Sequence, residues 1–508
     1  MLLPRRLRVL VLLGFLTAAA SARAGFKCPA KGGSEWRAYR STHFAVYTDA
    51  AELKVTRLIA QLESMHVLEV QALVGEQVEI PGRLRVITFA DPALFTEFAG
   101  RYQIAGYYKA SFFSERTIVL PVEGIDADPQ TVAHEVAHHL SSFLFVRQPP
   151  WFSEGLAVFL QTVAAVERPI EPGTGSHIVR GQRDHGGAVG AVPMRTAAGL
   201  QEAPRVSFNE LWDWKGGDDR SGSSYHLYGW LLYHWLWNTR SKELSAFQQR
   251  LSNGDDPREA WRLSFPDLDP ANASAAAKVD DALEGYRHSG RYMSYKVEAK
   301  ADVSFQKGGT LPSADVHMLM DDASNSWSDE ERAANVEEAL SEDPSEPGAI
   351  VRRAHLDKAS PLEPLRKSVA ARPGDWRSWL SFGEALPPDA KEEKEAAFRK
   401  AVALNPDNPE AHNNLAWLLV TQGRAKEALP IANRALDLSP GAPTIIDTLA
   451  SVAAAVGKCA DAVVLERRAA ELAPPKSNMA QALRKKAVDY QSRCGAAVPA
   501  AATNMPVR

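Results

Sequence analysis

His134, Glu135 and His138 stand in the order H-E-x-x-H within TVAHEVAHHL, and Glu154 follows in WFSEGLAVF. On an α-helix, residues four apart share a face, so His134 and His138 can offer two imidazoles to one ion. Glu135 lies one step round the helix, beside such an ion rather than on it. There a carboxylate can take a proton from an activated water. Zinc usually takes three protein ligands and keeps a fourth position for water. Glu154 is the candidate third ligand, because a short return loop would carry the next helix back to the histidines. Gly155 and Ala157 are small enough to let that helix pack closely. Histidine is only 13 of 508 residues, so the pattern is uncommon by chance. Two plainer readings stand beside it: two polar residues on a half-buried helix, or a metal site without catalysis.

Several elements must position these residues. Asp128-Pro129 reads as an N-cap acid with proline at the first helical position. The helix should run to about Phe145 and end at Arg147-Gln148-Pro149-Pro150. A second helix is expected from near Trp151 to about Val166. Residues 168–205 are rich in Gly, Pro and Ala and read as loop with short pieces of structure. SSYHLYGWLLYHWLW (Ser223 to Trp237) reads as a third helix, aromatic enough for a core. Upstream, STHFAVYTD alternates apolar and polar and reads as a strand. LKVTRLIAQLESMHVLEVQALVG has helical spacing, and RLRVITFAD and RTIVLPVEG read as further strands. The order β-α-β-β implies a small sheet with a helix packed on it, an α+β domain. His139 should point away from the metal face. His43, His177, His185, His226 and His234 have no ligand spacing and read as surface or core histidines.

Bulk composition bounds the function. The chain is 45% hydrophobic and 24% charged, an ordinary globular balance. Arg5, Arg6 and Arg8, the apolar run Val9 to Ala20 and Ala22-Arg23-Ala24 form a secretory signal peptide over residues 1–24. Its loss would remove Arg5, Arg6, Arg8 and Arg23 and no acid, making the mature chain more acidic than its formal −4. No basic excess points to nucleic acid or anionic lipid. No later run is apolar and long enough for a transmembrane segment. The expected location is exported, periplasmic in a bacterium or secreted. Export permits disulfides. Cys459 and Cys494 share the C-terminal helical region and are the favoured pair, which leaves Cys28 free.

After about residue 265 the composition turns to Ala, Glu, Asp and Lys. Pro406, Pro440 and Pro474 recur every thirty-four residues, as do Ala401, Ala435 and Ala469, with Ala428 and Ala462 in step. LRKSVAARP (Leu365 to Pro373) echoes FRKAVALNP (Phe398 to Pro406). This period, with small residues where helices cross and proline closing each unit, marks tetratricopeptide repeats, an all-α solenoid. The expected division is 25–265 for the α+β domain and 266–314 for a connecting segment. Repeats follow over 315–478, clearest at 375–476, with a terminal helix and flexible tail over 479–508. By register the concave face should carry Asn413, Trp417, Asp447 and Ser451, candidates for holding a protein partner.

Over roughly residues 35–240 the sequence resembles the gluzincin metallopeptidases, in particular the bacterial peptidase MA-like group. The resemblance rests on STHFAVYTD, AGYY (Ala105 to Tyr108), TIVLP, HEVAHH, PPWFSEGLAVF and YHLYGWLL. It implies zinc on His134, His138 and Glu154, with Glu135 as general base. It implies that Thr117 to Val122 is the edge strand along which an extended peptide adds. It also matches Tyr225 to a tyrosine that steadies the oxyanion. No G-x-M-E-N exopeptidase signature is present, so endo- and exopeptidase both stay open. The expectation is an exported zinc metallopeptidase whose repeats bind substrate or partner. The alternative is a non-catalytic repeat scaffold in the cell envelope with a structural or vestigial zinc site.

Overall fold

The computed structural model describes residues 26–75, 78–100, 106–109, 116–164, 186–193, 202–216, 222–474 and 476–494. The expected signal peptide, His177, His185 and the tail beyond residue 494 lie outside the described residues.

Among the described residues, the N-terminal part is built on a mixed six-stranded sheet in the order β4-β5-β3-β2-β1-β8. β1 (Arg37–Ser41) and β2 (Phe44–Thr48) form an antiparallel hairpin. The chain then crosses through α1 (Glu52–Val74) to β3 (Leu84–Phe89), parallel to β2. α2 (Pro92–Ala99) and β4 (Tyr107–Lys109) precede β5 (Thr117–Pro121), which is parallel to β3. In β2, Phe44, Val46 and Thr48 are buried while Ala45 and Tyr47 are half-buried, the period of two that the sequence carries. α1 buries Val55, Leu58, Ile59 and Leu62 at helical spacing against one face of the sheet. The other face packs Ile87, Phe89 and Val119 on Phe95 and Phe98 of α2.

Two expectations are corrected. Thr117–Pro121 is not the edge: β5 hydrogen-bonds to β3 on one side and to antiparallel β4 on the other. All five of its residues are buried. TIVLP is a nearly continuous apolar run, which is what a strand covered on both faces reads as; only the pairing tells that it is not an edge. Among the described residues Tyr107–Lys109 is the edge. The stretch read as a connecting segment also supplies structure. Its β8 (Phe305–Thr310) pairs antiparallel with β1 and closes the opposite edge, and β7 (Tyr295–Glu298) pairs with β6 (Gly186–Val189).

Three helices follow the sheet. α3 (Gly124–Ala127) is a single turn. α4 (Pro129–Leu144) begins as expected: Asp128 caps it by accepting from the Thr131 amide, and Pro129 opens its first turn. α5 (Pro150–Leu160) continues into a 3₁₀ turn over Gln161–Ala164. After α6 (Phe208–Asp213), α7 (Gly222–Thr239) buries Tyr228, Trp230, Leu231, Leu232, Tyr233 and Leu236. Trp151 of α5 packs edge-on to Trp212 and Trp261, which fixes α5 at the centre of an aromatic core.

The C-terminal part is TPR-like helical repeats. Ala401, Ala435 and Ala469, the periodic alanines, are each 0% exposed where helices cross. Pro406, Pro440 and Pro474 follow the ends of the helices Lys391–Leu404, Ala425–Leu438 and Cys459–Leu472, where a missing amide costs nothing. The array is tied to the sheet. Helix Ser313–Ala323 packs Val316, Leu319 and Met320 on the second face, and Arg83 pairs with Asp407 at 2.9 Å. Cys459 is disulfide-bonded and Cys28 is free and buried; the Cys494 side chain lies outside the described residues. No described helix is long and apolar enough to cross a membrane.

Candidate metal centre

His134 and His138 project from α4 one turn apart, as helix geometry demands. The Pro149-Pro150 turn sends the chain back along them, and Glu154 sits one turn into α5. Their donor atoms converge. His134 Nε2 and His138 Nε2 are 3.1 Å apart, and Glu154 Oε2 is 3.3 Å from the first and 3.4 Å from the second. Ligands about 2.0–2.1 Å from a tetrahedral zinc stand about 3.3 Å from one another. Two imidazoles and one carboxylate at these separations therefore fit zinc in both chemistry and spacing, and the three form a group able to hold a metal ion. Burial works against charge on Glu154, but His138 and His134 outweigh it and hold its carboxyl well below the usual carboxylate range.

The far side of each imidazole is held as well. His134 Nδ1 lies 3.0 Å from Gln161 Oε1, and His138 Nδ1 lies 3.2 Å from Ser153 Oγ. An Nδ1–H donated to these oxygens leaves the Nε2 lone pair facing inward, the tautomer a metal needs. Gln161→Ala is expected to weaken zinc binding by about 10–100-fold, as loss of such partners does. Competition with a chromophoric chelator measures this. Unchanged affinity would remove Gln161 from the role.

The third wall comes from α7. It can reach the cluster because α5 and α7 cross at two glycines. A Cβ added to Gly155 would fall well inside contact distance of the Gly229 carbonyl oxygen, and one on Gly229 would lie 2.8 Å from the Trp151 carbonyl oxygen. His226 stands three residues before Gly229, on the same face. Its Nε2 lies 3.7 Å from Glu154 Oε2. Sequence spacing sets His226 aside; only the glycine crossing brings it in. Tyr225 instead stacks on Trp214, with ring centroids 5.2 Å apart. His139 is buried on the side away from the ligands, against Phe143. Glu135 is half-buried beside the ligands. Tyr108 of the edge strand is near it: burial pushes the Tyr108 phenol up, and the Glu135 charge adds to the shift.

The expected partner face of the repeats is divided. Lys486 and Tyr490 of the terminal helix Asn478–Cys494 occupy its C-terminal half. Lys486 Nζ pairs with Asp447 and donates to Ser451 Oγ at 2.9 Å, and the Tyr490 hydroxyl lies 3.3 Å from Ser451 Oγ. Lys486 also lies 5.8 Å from the Trp417 ring, which stays 45% exposed. Asp447 and Ser451 are thus taken by the chain itself, a correction to their reading as open partner contacts. The register places them on the concave face, but nothing in a thirty-four-residue period says where a helix beyond the last repeat will lie. Asn413 faces the sheet instead and lines a cavity there.

Residues 395–443 match the tetratricopeptide repeat family model. Among curated proteins none matches the chain significantly. Solved structures similar to part of it include a thermophilic TPR protein of Thermus thermophilus. That structure is 22% identical, with 32% of this chain and 89% of that one covered and a TM-score of 0.26. YrrB, a TPR protein with an unusual peptide-binding site, is 17% identical over 34% of this chain and 89% of its own, with a TM-score of 0.26. MamA of Desulfovibrio magneticus RS-1 is 16% identical over 30% and 93%, with a TM-score of 0.25. By its family match and its helical period, the C-terminal part of the chain is a tetratricopeptide repeat array, a fold that suggests binding of a protein partner.

Proposed function

We propose that this protein is an exported zinc-dependent metallopeptidase whose tetratricopeptide repeats recruit substrate or a protein partner. The observation that carries the reading is the convergence of His134, His138 and Glu154 at the separations a tetrahedral zinc requires, with Glu135 beside them. Zinc bound there would serve as a Lewis acid for a peptide carbonyl and acidify water. Glu135 would take the proton of the attacking water and return it to the leaving amine. His226, or Tyr225 as the family resemblance implies, would donate to the oxyanion as charge develops. Edge strand Tyr107–Lys109 would align an extended substrate by strand addition. The leader sequence supports export, as does the disulfide at Cys459, a bond that reducing compartments rarely keep.

The repeat match over residues 395–443 favours a second reading, a non-catalytic scaffold in the cell envelope with a structural or vestigial zinc site. Metal content separates the possibilities. The mature protein, purified without chelators, is expected to hold about one zinc per chain. His138→Ala and Glu154→Ala are each expected to lose it. A parent that neither holds zinc nor takes it up rejects the peptidase. Zinc without chelator-sensitive cleavage of an unfolded protein leaves the scaffold.

A further inference from the structure

The last carbonyls of an α-helix have no partner within it and must find donors elsewhere. At the end of helix Ser313–Ala323, side chains from two directions supply them. From edge strand β4, the Tyr107 hydroxyl donates to the Ala323 carbonyl at 2.6 Å. Lys109 Nζ donates to the Asp322 and Ser324 carbonyls at 2.6 and 3.1 Å. From the helix Asp329–Glu342, Arg332 donates to the Asp321 and Ser324 carbonyls at 2.8 and 3.0 Å. Two cations there also suit the negative end of the helix dipole.

The Asp322 side chain extends the same junction. Its carboxylate pairs with Arg85 of β3 at 2.9 Å and with Arg352 of the helix Pro347–Asp357 at 2.6 Å. Burial works against its charge, but Arg85 and Arg352 outweigh it and hold the carboxyl below its usual range. Arg85 also donates to Thr117 Oγ1 of β5, the strand on which β4 pairs. Beyond the helix, the Asn325 amide donates to the Phe98 carbonyl at 3.0 Å and Ser326 Oγ to the Glu97 carbonyl at 2.8 Å. The junction is therefore pinned to α2 as well.

β4 has need of such support. Its described pairing with β5 spans only Tyr107, Tyr108 and Lys109, short of the usual strand length. Successive side chains of a strand face opposite ways. Tyr107 and Lys109 reach the junction, while Tyr108 faces α4, its ring centroid 6.4 Å from that of His139. β4 is thus gripped between the helix that carries His134, Glu135 and His138 and a helix of the C-terminal part. We propose that the end of helix Ser313–Ala323 braces β4 at the place where a substrate strand adds, with Lys109 and Asp322 as positioning residues and Arg352 as the tie to the C-terminal helices. The alignment of substrate rests on the peptidase reading; the brace itself does not depend on the metal. Strand addition holds ground state and transition state alike, so a loosened brace raises KM and leaves kcat.

The test joins amide hydrogen exchange with cleavage of fluorescent unfolded casein, both on the full mature chain. Lys109→Met keeps the apolar stem and removes the donors. Exchange in the fragment containing Tyr107–Lys109 is expected to quicken about tenfold or more, the weight of a hydrogen bond from a charged group. KM is expected to rise by a similar factor with kcat within about twofold of the parent, while zinc content and exchange in α4 stay parental. Arg352→Gln, a change outside the sheet, is expected to quicken the same fragment. Lys307→Met breaks an ion pair with Glu52 at the opposite edge strand, β8, and is expected to match the parent in every readout. Parental exchange in Lys109→Met or in Arg352→Gln would overturn the proposal. So would loss of zinc in Lys109→Met, or a fall in kcat with parental KM, either of which marks general damage to the fold. A parent that cleaves nothing rejects the peptidase reading instead, and the exchange rates then decide the brace by themselves.

Discussion

Glu135→Gln is expected to keep its zinc and to lose peptide hydrolysis by about a hundred- to ten-thousandfold, the share that positioned proton transfer contributes. The substitution is close to isosteric, so His134, His138 and Glu154 should stay at their 3.1–3.4 Å separations. What changes is one oxygen that can accept a proton for an amide that cannot. Glu135 stands next to the first ligand on α4, and its charge reaches Tyr108 on the edge strand. It therefore stands beside the first ligand and within electrostatic reach of the strand proposed to align a substrate. Metal analysis and single-turnover cleavage, run side by side, check both halves of the expectation. Parental turnover in the variant would remove Glu135 as the base, and loss of zinc would show that it matters to the ligands instead.

The second large effect is at Gly155, a residue with no chemistry of its own. Gly155→Val is expected to lower stability by about 1–3 kcal/mol or more and to lose zinc along with it. The added Cβ would meet the Gly229 carbonyl oxygen, which is backbone and cannot swing aside. α5 and α7 must then separate. Glu154 is the adjacent residue, so its carboxylate leaves the histidines as α5 moves. Gly285→Ala is the control. It lies within the helix Ala273–Ser289 and its added Cβ meets nothing within 4 Å. It should be neutral or stabilising by up to about 1 kcal/mol. Urea unfolding and zinc stoichiometry on both variants decide the matter. A Gly155→Val protein with parental midpoint and full zinc would show that the crossing does not hold the site.

The parts of this protein that could be read without a structure are those set by local geometry. His134 and His138 share a face because an α-helix turns every 3.6 residues, whatever surrounds it. The Asp128-Pro129 cap and the helix it starts follow from one side chain and one missing amide. The repeats follow from a period, since each unit packs only on its neighbours. Glu154 is within reach of the same reasoning, because only a short turn separates its helix from the histidines.

Contacts between residues far apart in sequence were decided by the tertiary structure. His226 joins the site only because Gly155 and Gly229 let two helices touch, and Gln161 contributes because a 3₁₀ turn continues α5. Strand order placed Thr117–Pro121 inside the sheet and Tyr107–Lys109 at its edge, and pairing with β1 turned residues 305–310 from a connector into a strand. The terminal helix closed over Asp447 and Ser451, and the docking of helix Ser313–Ala323 on the sheet brought its last carbonyls to Tyr107 and Lys109. The physical reason is the same in each case. Periodicity and capping act over a few residues and are written in their types, whereas burial and close approach depend on which surfaces meet after the chain has folded.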